Sequence, residues 1–94
     1  MDMLDRKALI ALLTKQLKWE KDEFGEFDTD VFGIWLNVSA DRGVWRWFAY
    51  GTGRSPCPEG GTGTLEESKA AAIEFTAEHL LSQANNLGLT LSAA

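Results

Sequence analysis

Six carboxylates fall within the eleven residues from Glu20 to Asp30: Glu20, Asp22, Glu23, Glu26, Asp28 and Asp30. Lys21 is the one base among them, so this stretch carries the whole formal net charge of the chain, −5. Such a local field attracts a basic partner and repels nucleic acid. In an extended backbone, carboxylates at alternate positions (Glu20, Asp22; Glu26, Asp28, Asp30) project to one side about 6.5–7 Å apart. That spacing is close to the spacing of phosphates along a strand, and it suits a groove rich in Lys and Arg. The solvated-surface reading of a charge run stands beside this one. A calcium loop fits worse, because Asp22 to Asp28 lacks the D-x-D-x-D-G pattern and its distal glutamate.

A second constellation is aromatic. Trp35, Trp45, Trp47, Phe48 and Tyr50 crowd two neighbouring segments, with Arg46 among them. Aromatic rings around an arginine are a composition enriched at protein interfaces. The same residues also make ordinary core and cross-strand pairs. A stacking platform for single-stranded nucleic acid needs a basic surround that this chain lacks.

Catalytic chemistry finds little support. His79 and Cys57 are the sole imidazole and thiol, and nothing in the sequence pairs them. One cysteine makes no internal disulfide and no multi-cysteine zinc site. The glycines Gly51, Gly53, Gly60, Gly61 and Gly63 precede a helix, yet no lysine follows Gly63 to complete a phosphate-binding loop. No enzyme activity, metal or cofactor is expected.

The elements that must position these residues are legible from periodicity. Ile10, Leu13 and Leu17, widened by Leu9 and Leu12, predict a helix over Met3 to Lys18. Arg6, Lys7, Lys15 and Lys18 lie mostly on its other side, and Asp2 or Asp5 can cap it. Trp19 to Phe24 fits a short charged edge strand, and Gly25 to Asp30 reads as turn or loop. Val31 to Ala40 predicts a strand with Phe32, Ile34, Leu36 and Val38 toward the core. Asp41-Arg42-Gly43 turns the chain into a second strand, Val44 to Gly51. Alternation alone does not fix which face of that strand is buried. If Trp45 and Trp47 join the core, then Arg46, Phe48 and Tyr50 join Trp35 on the open face.

Gly51 to Gly63 reads as a loop. Thr64-Leu65-Glu66-Glu67 matches a capping box opening a last helix. That helix presents Ala70, Ile73, Ala77, Leu80, Leu81 and Ala84, and Asn85, Asn86 and Gly88 end it. Leu87, Leu89 and Leu91 alternate in the tail. The layout is α+β, one domain over 1–94, with a small antiparallel sheet of two to three strands and both helices packed on one face. The element order is α-β-β-β-α, and the other sheet face is left open. No apolar run reaches the roughly 18–20 residues of a membrane span. Asp2 and Asp5 interrupt any secretory signal. The chain reads as soluble and cytoplasmic.

The run Val44-Trp45-Arg46-Trp47-Phe48, a glycine-rich gap, and Gly63-Thr64-Leu65-Glu66-Glu67-Ser68-Lys69-Ala70-Ala71-Ala72 resemble segments of small phage- and prophage-encoded proteins, some anti-CRISPR proteins included. The resemblance covers residues 31 to 80. It implies a non-enzymatic inhibitor in a bacterial host cell that occupies the basic surface of a Cas effector complex without touching nucleic acid itself. The class shares no binding motif, so the resemblance transfers no residue roles. The alternative is an interaction or homo-oligomerisation module that uses the open aromatic face.

Overall fold

The structure is a computed structural model that describes residues 5–88. Helix α1 spans Arg6–Gln16 and strand β1 Glu20–Lys21. They are followed by β2 Phe27–Val31, β3 Ile34–Asp41, β4 Val44–Tyr50 and β5 Glu59–Thr62, and then by helix α2, Leu65–Asn86. The strands form one antiparallel sheet in the order β1-β2-β3-β4-β5. The class is α+β as expected, but there are five strands rather than two to three.

Two unexpected strands account for the difference, and a third correction concerns a turn. The stretch Gly25 to Asp30, expected as turn or loop, supplies most of β2. Its period-two pattern puts Phe27, Thr29 and Val31 on the helix side and Asp28 and Asp30 on the other, as the register with β3 requires. Residues Glu59 to Thr62, expected within a loop, form β5. Here glycine marks close approach rather than irregularity. A Cβ on Gly60 would stand 2.5 Å from the Trp47 indole nitrogen, so the ring needs a bare backbone above it. Finally, Phe32 is not core. It is 83% exposed in a two-residue turn between β2 and β3, where Phe32 (φ 49°) and Gly33 (φ 81°) both take positive φ. Arg42 (φ 54°) and Gly43 (φ 80°) repeat that geometry between β3 and β4. Positive φ at both central residues gives the turn a twist that matches the flanking strands.

Both helices lie on one face. Ile34, Leu36 and Val38 from β3 point toward them, and Trp45, Trp47 and Ala49 follow from the β3–β4 register. Leu9 and Leu13 of α1 and Ala72, Ile73 and Ala77 of α2 complete the core with Val31. Asp5 caps α1, its carboxylate accepting the Ala8 N–H at 2.7 Å. Thr64 caps α2 through the Glu67 N–H at 3.1 Å. The Glu67 carboxylate accepts from the Thr64 hydroxyl at 2.9 Å, in place of the backbone N–H that a capping box would give it.

Small residues let α2 settle close to the sheet. Ser68, Ala72, Thr76 and Ala77 are fully buried, while Ala70, expected on this face, is exposed. The Ser68 hydroxyl meets that of Thr62 at 2.6 Å, which ties β5 to α2. Gly88 (φ 71°) follows the helix end, as expected. Met3, Leu89 and Leu91 lie outside the described residues. Among the described residues, no helix is long and apolar enough to cross a membrane.

Candidate functional site

The sheet face away from the helices carries the functional candidates, and the registers arrange them in rows across the strands. One row runs Asp30–Trp35–Tyr50. The next runs Glu20–Asp28–Asn37–Phe48–Glu59 and crosses all five strands. A third runs Ser39–Arg46–Gly61. The open choice left by the β4 alternation is thereby decided. Trp45 and Trp47 turn to the helices, and Arg46, Phe48 and Tyr50 join Trp35 outside.

Within these rows the rings form a band. Trp35 and Tyr50 have centroids 5.0 Å apart, and Tyr50 and Phe48 are stacked at 6.2 Å. Trp35 is 45% exposed and Tyr50 40%. Arg46 lies over the Phe48 ring at 5.7 Å and pairs with Glu59 at 2.7 Å. Burial pushes the Tyr50 phenol above its ordinary value of 10.0. Coulombic repulsion from Cys57, Glu26, Glu59 and Asp28 acts in the same direction.

Asn37 joins the band to the acidic stretch. Its side chain is buried, and its Nδ2 donates to Asp28 Oδ1 at 2.7 Å and to Glu26 Oε1 at 3.0 Å. Asp28 Oδ1 also accepts the Trp35 Nε1–H at 3.1 Å. Two groups that the sequence presents as separate candidates therefore form one continuous surface.

The six acids divide by role. Glu20, Asp28 and Asp30 stand on the open face, with Glu26 at its margin. Asp22 instead organises the β1–β2 turn, accepting the N–H groups of Phe24 at 2.8 Å and Glu26 at 2.9 Å. Glu23 is exposed in that turn, apart from the others. Among the described residues, none of the six forms an ion pair; the pairs are Arg6–Glu78, Arg42–Asp41, Arg46–Glu59 and Lys69–Glu66. Glu20 faces Asp28 directly across the ladder, a like-charge pairing that works against the sheet.

Two residues of this surface, Asn37 and Glu59, escape a reading of the sequence. Asn37 shows only as a polar residue alternating with the core residues Leu36 and Val38. Glu59 is hidden by the glycines that make its strand look like a loop.

No protein-family model, curated protein or solved structure matches the chain.

Elsewhere the chemistry is sparse. The Cys57 thiol donates to the carbonyl oxygens of Ala49 at 3.1 Å and Pro58 at 3.4 Å. His79 stacks on Phe75 at 5.9 Å. It lines an open groove of about 460 Å³ with Arg54 and Glu78, where Arg54 covers Phe75 and Glu78 is bound to Arg6. Among the described residues, no group of three or more His, Cys, Asp or Glu side chains could hold a metal ion.

Proposed function

We propose that this is a non-enzymatic binding protein that docks its open sheet face onto a basic surface of a protein partner. The observation that supports this reading is the composition of the face. Glu20, Glu26, Asp28, Asp30 and Glu59 oppose a single arginine there, and Asp28 and Asp30 border the exposed Trp35 directly. Charges of one sign steer an encounter, and adjoining rings supply the desolvated contact that holds it. A partner surface basic enough to match is typical of nucleic-acid-handling complexes. Occupying it would inhibit them, which is the role implied by the resemblance to phage inhibitors.

A second copy of the chain is a poorer occupant. Two such faces brought together set carboxylates against carboxylates, with only Arg46 on each side to offset them.

The test compares wild-type protein with a Glu20→Gln, Asp28→Asn, Asp30→Asn, Trp35→Ala variant. Each is used to capture partners from bacterial lysate at low and high salt. The expected outcome is a nucleic-acid-handling assembly that wild type retains, the variant loses, and added nucleic acid displaces. Inhibition should saturate at a fixed ratio of protein to target. Progressive inactivation of excess target by a trace of protein would establish a catalyst and overturn the proposal.

A further inference from the structure

We infer that Trp35, Tyr50, Asp28 and Asp30 form a seat for an arginine side chain of the protein partner. The inference rests on the binding reading above and names the side chain that the face selects.

The face already contains one such unit built from its own residues. Arg46 lies over the Phe48 ring and reaches the Glu59 carboxylate at 2.7 Å. A ring below and a carboxylate at the edge match both properties of a guanidinium, its flat delocalised charge and its in-plane N–H groups. One row away, the same two components recur. The Trp35–Tyr50 pair offers exposed ring surface, and Asp30 stands directly across the ladder from Trp35. Asp30 is exposed, and no side-chain hydrogen bond or ion pair of the described residues engages it.

This second unit is also held in place. Asn37 fixes Asp28 at 2.7 Å, and Asp28 in turn fixes the Trp35 indole at 3.1 Å. The Trp35 ring and the Asp28 carboxylate keep their relation before any partner arrives, which lowers the ordering cost of binding. Lysine satisfies the site less well. Its ammonium is a compact, strongly hydrated charge that cannot lie flat on a ring while bonding a carboxylate edge-on. The negative field of the surrounding acids excludes a nucleic-acid phosphate and favours a cationic protein segment.

The probes are fluorescein-labelled hexa-arginine and hexa-lysine peptides, which carry equal charge, titrated by fluorescence polarisation at low salt. Wild type is expected to bind hexa-arginine about 3–10-fold more tightly than hexa-lysine. Trp35→Ala should bring the arginine peptide down to the lysine level and leave lysine binding within about twofold. Asp30→Asn should weaken the arginine peptide alone, and Tyr50→Phe, which keeps the ring, should retain the preference. Circular dichroism confirms that each variant is folded. Equal affinity for both peptides would overturn the arginine seat while leaving a generally acidic docking face intact. Failure of both peptides to bind would overturn the seat and the docking face together. A preference unaffected by both Trp35→Ala and Asp30→Asn would place arginine selection elsewhere and overturn the assignment.

Discussion

Asn37 and Asp28 face each other across the β2–β3 ladder, and the Asn37 amide meets the Asp28 carboxylate at 2.7 Å. The amide's second hydrogen goes to Glu26. One neutral side chain thus holds two negative charges side by side on a surface with few cations. Asn37→Leu should cost about 1–3 kcal/mol, because both carboxylates lose a donor. A double-mutant cycle with Asp28→Ala, which removes the acceptor, read by urea unfolding, should give a coupling of at least about 0.5 kcal/mol. Additive effects would show that the bond contributes nothing to the fold.

The acidic half of the face should trade stability for recognition. Replacing Glu20, Glu26, Asp28 and Asp30 with Gln or Asn keeps their acceptor oxygens and removes the repulsion between Glu20 and Asp28. Stability should hold or rise by about 0.2–1 kcal/mol, while partner binding weakens and loses its salt dependence. A folded variant with unchanged affinity and salt slope would remove these residues from the interface.

Adjacent residues Ile34 and Trp35 provide a contrast between the two faces. Ile34 is 3% exposed in the core, so Ile34→Ala should cost roughly 2–5 kcal/mol. Trp35→Ala removes a half-exposed ring and should cost about 1 kcal/mol or less, yet reduce partner binding by about 2 kcal/mol or more. Equal losses of stability in the two variants would make Trp35 a structural residue.

Tyr50 is the only tyrosine, so its ionisation can be followed without overlap from another phenol. Its raised pKa means that the fold holds the phenol proton more tightly than the unfolded chain does. The resulting stabilisation is complete below pH 10.0, the ordinary value, and is lost as pH rises through the higher folded value. Tyrosinate absorbance should appear at higher pH in folded than in urea-unfolded protein. Tyr50→Phe should remove this component of the alkaline stability loss. Coincident titration curves would contradict the environment described for the ring.

Phe32 occupies a left-handed position that phenylalanine rarely adopts and asparagine tolerates well. Phe32→Asn should raise stability by about 0.5–1 kcal/mol, seen as a higher urea midpoint at constant slope. A lower midpoint would mean that the exposed ring packs favourably in the folded chain.

Legibility in the sequence followed how closely side chains obeyed a single period. Ile34, Leu36 and Val38 alternate cleanly, and Thr64 with Glu67 marks the start of α2, so the central hairpin and both helices were readable. β2 was not, because Thr29 stands where an apolar residue would have signalled a strand, between two conspicuous acids. β5 was hidden because glycines usually mark loops, and only the position of the Trp47 ring shows why Gly60 belongs in a strand. The acids and the rings were both visible as candidates. Their union through Asn37 was not, since it depends on the register between β2 and β3, and no local pattern states that register.

The meander has a kinetic consequence. Every ladder joins strands that are neighbours in the chain, so the sheet can assemble hairpin by hairpin with short loop closures. The docking of α1 on α2 is different. The Arg6–Glu78 bond spans 72 residues, and Leu9 and Leu13 share the core with Ala72, Ile73 and Ala77 of α2. From this sequence separation α1 is expected to be the last element to lock and the first to detach. Its amides should exchange with solvent by a local opening of lower free energy than global unfolding, while the amides of β3 report the stability of the whole domain.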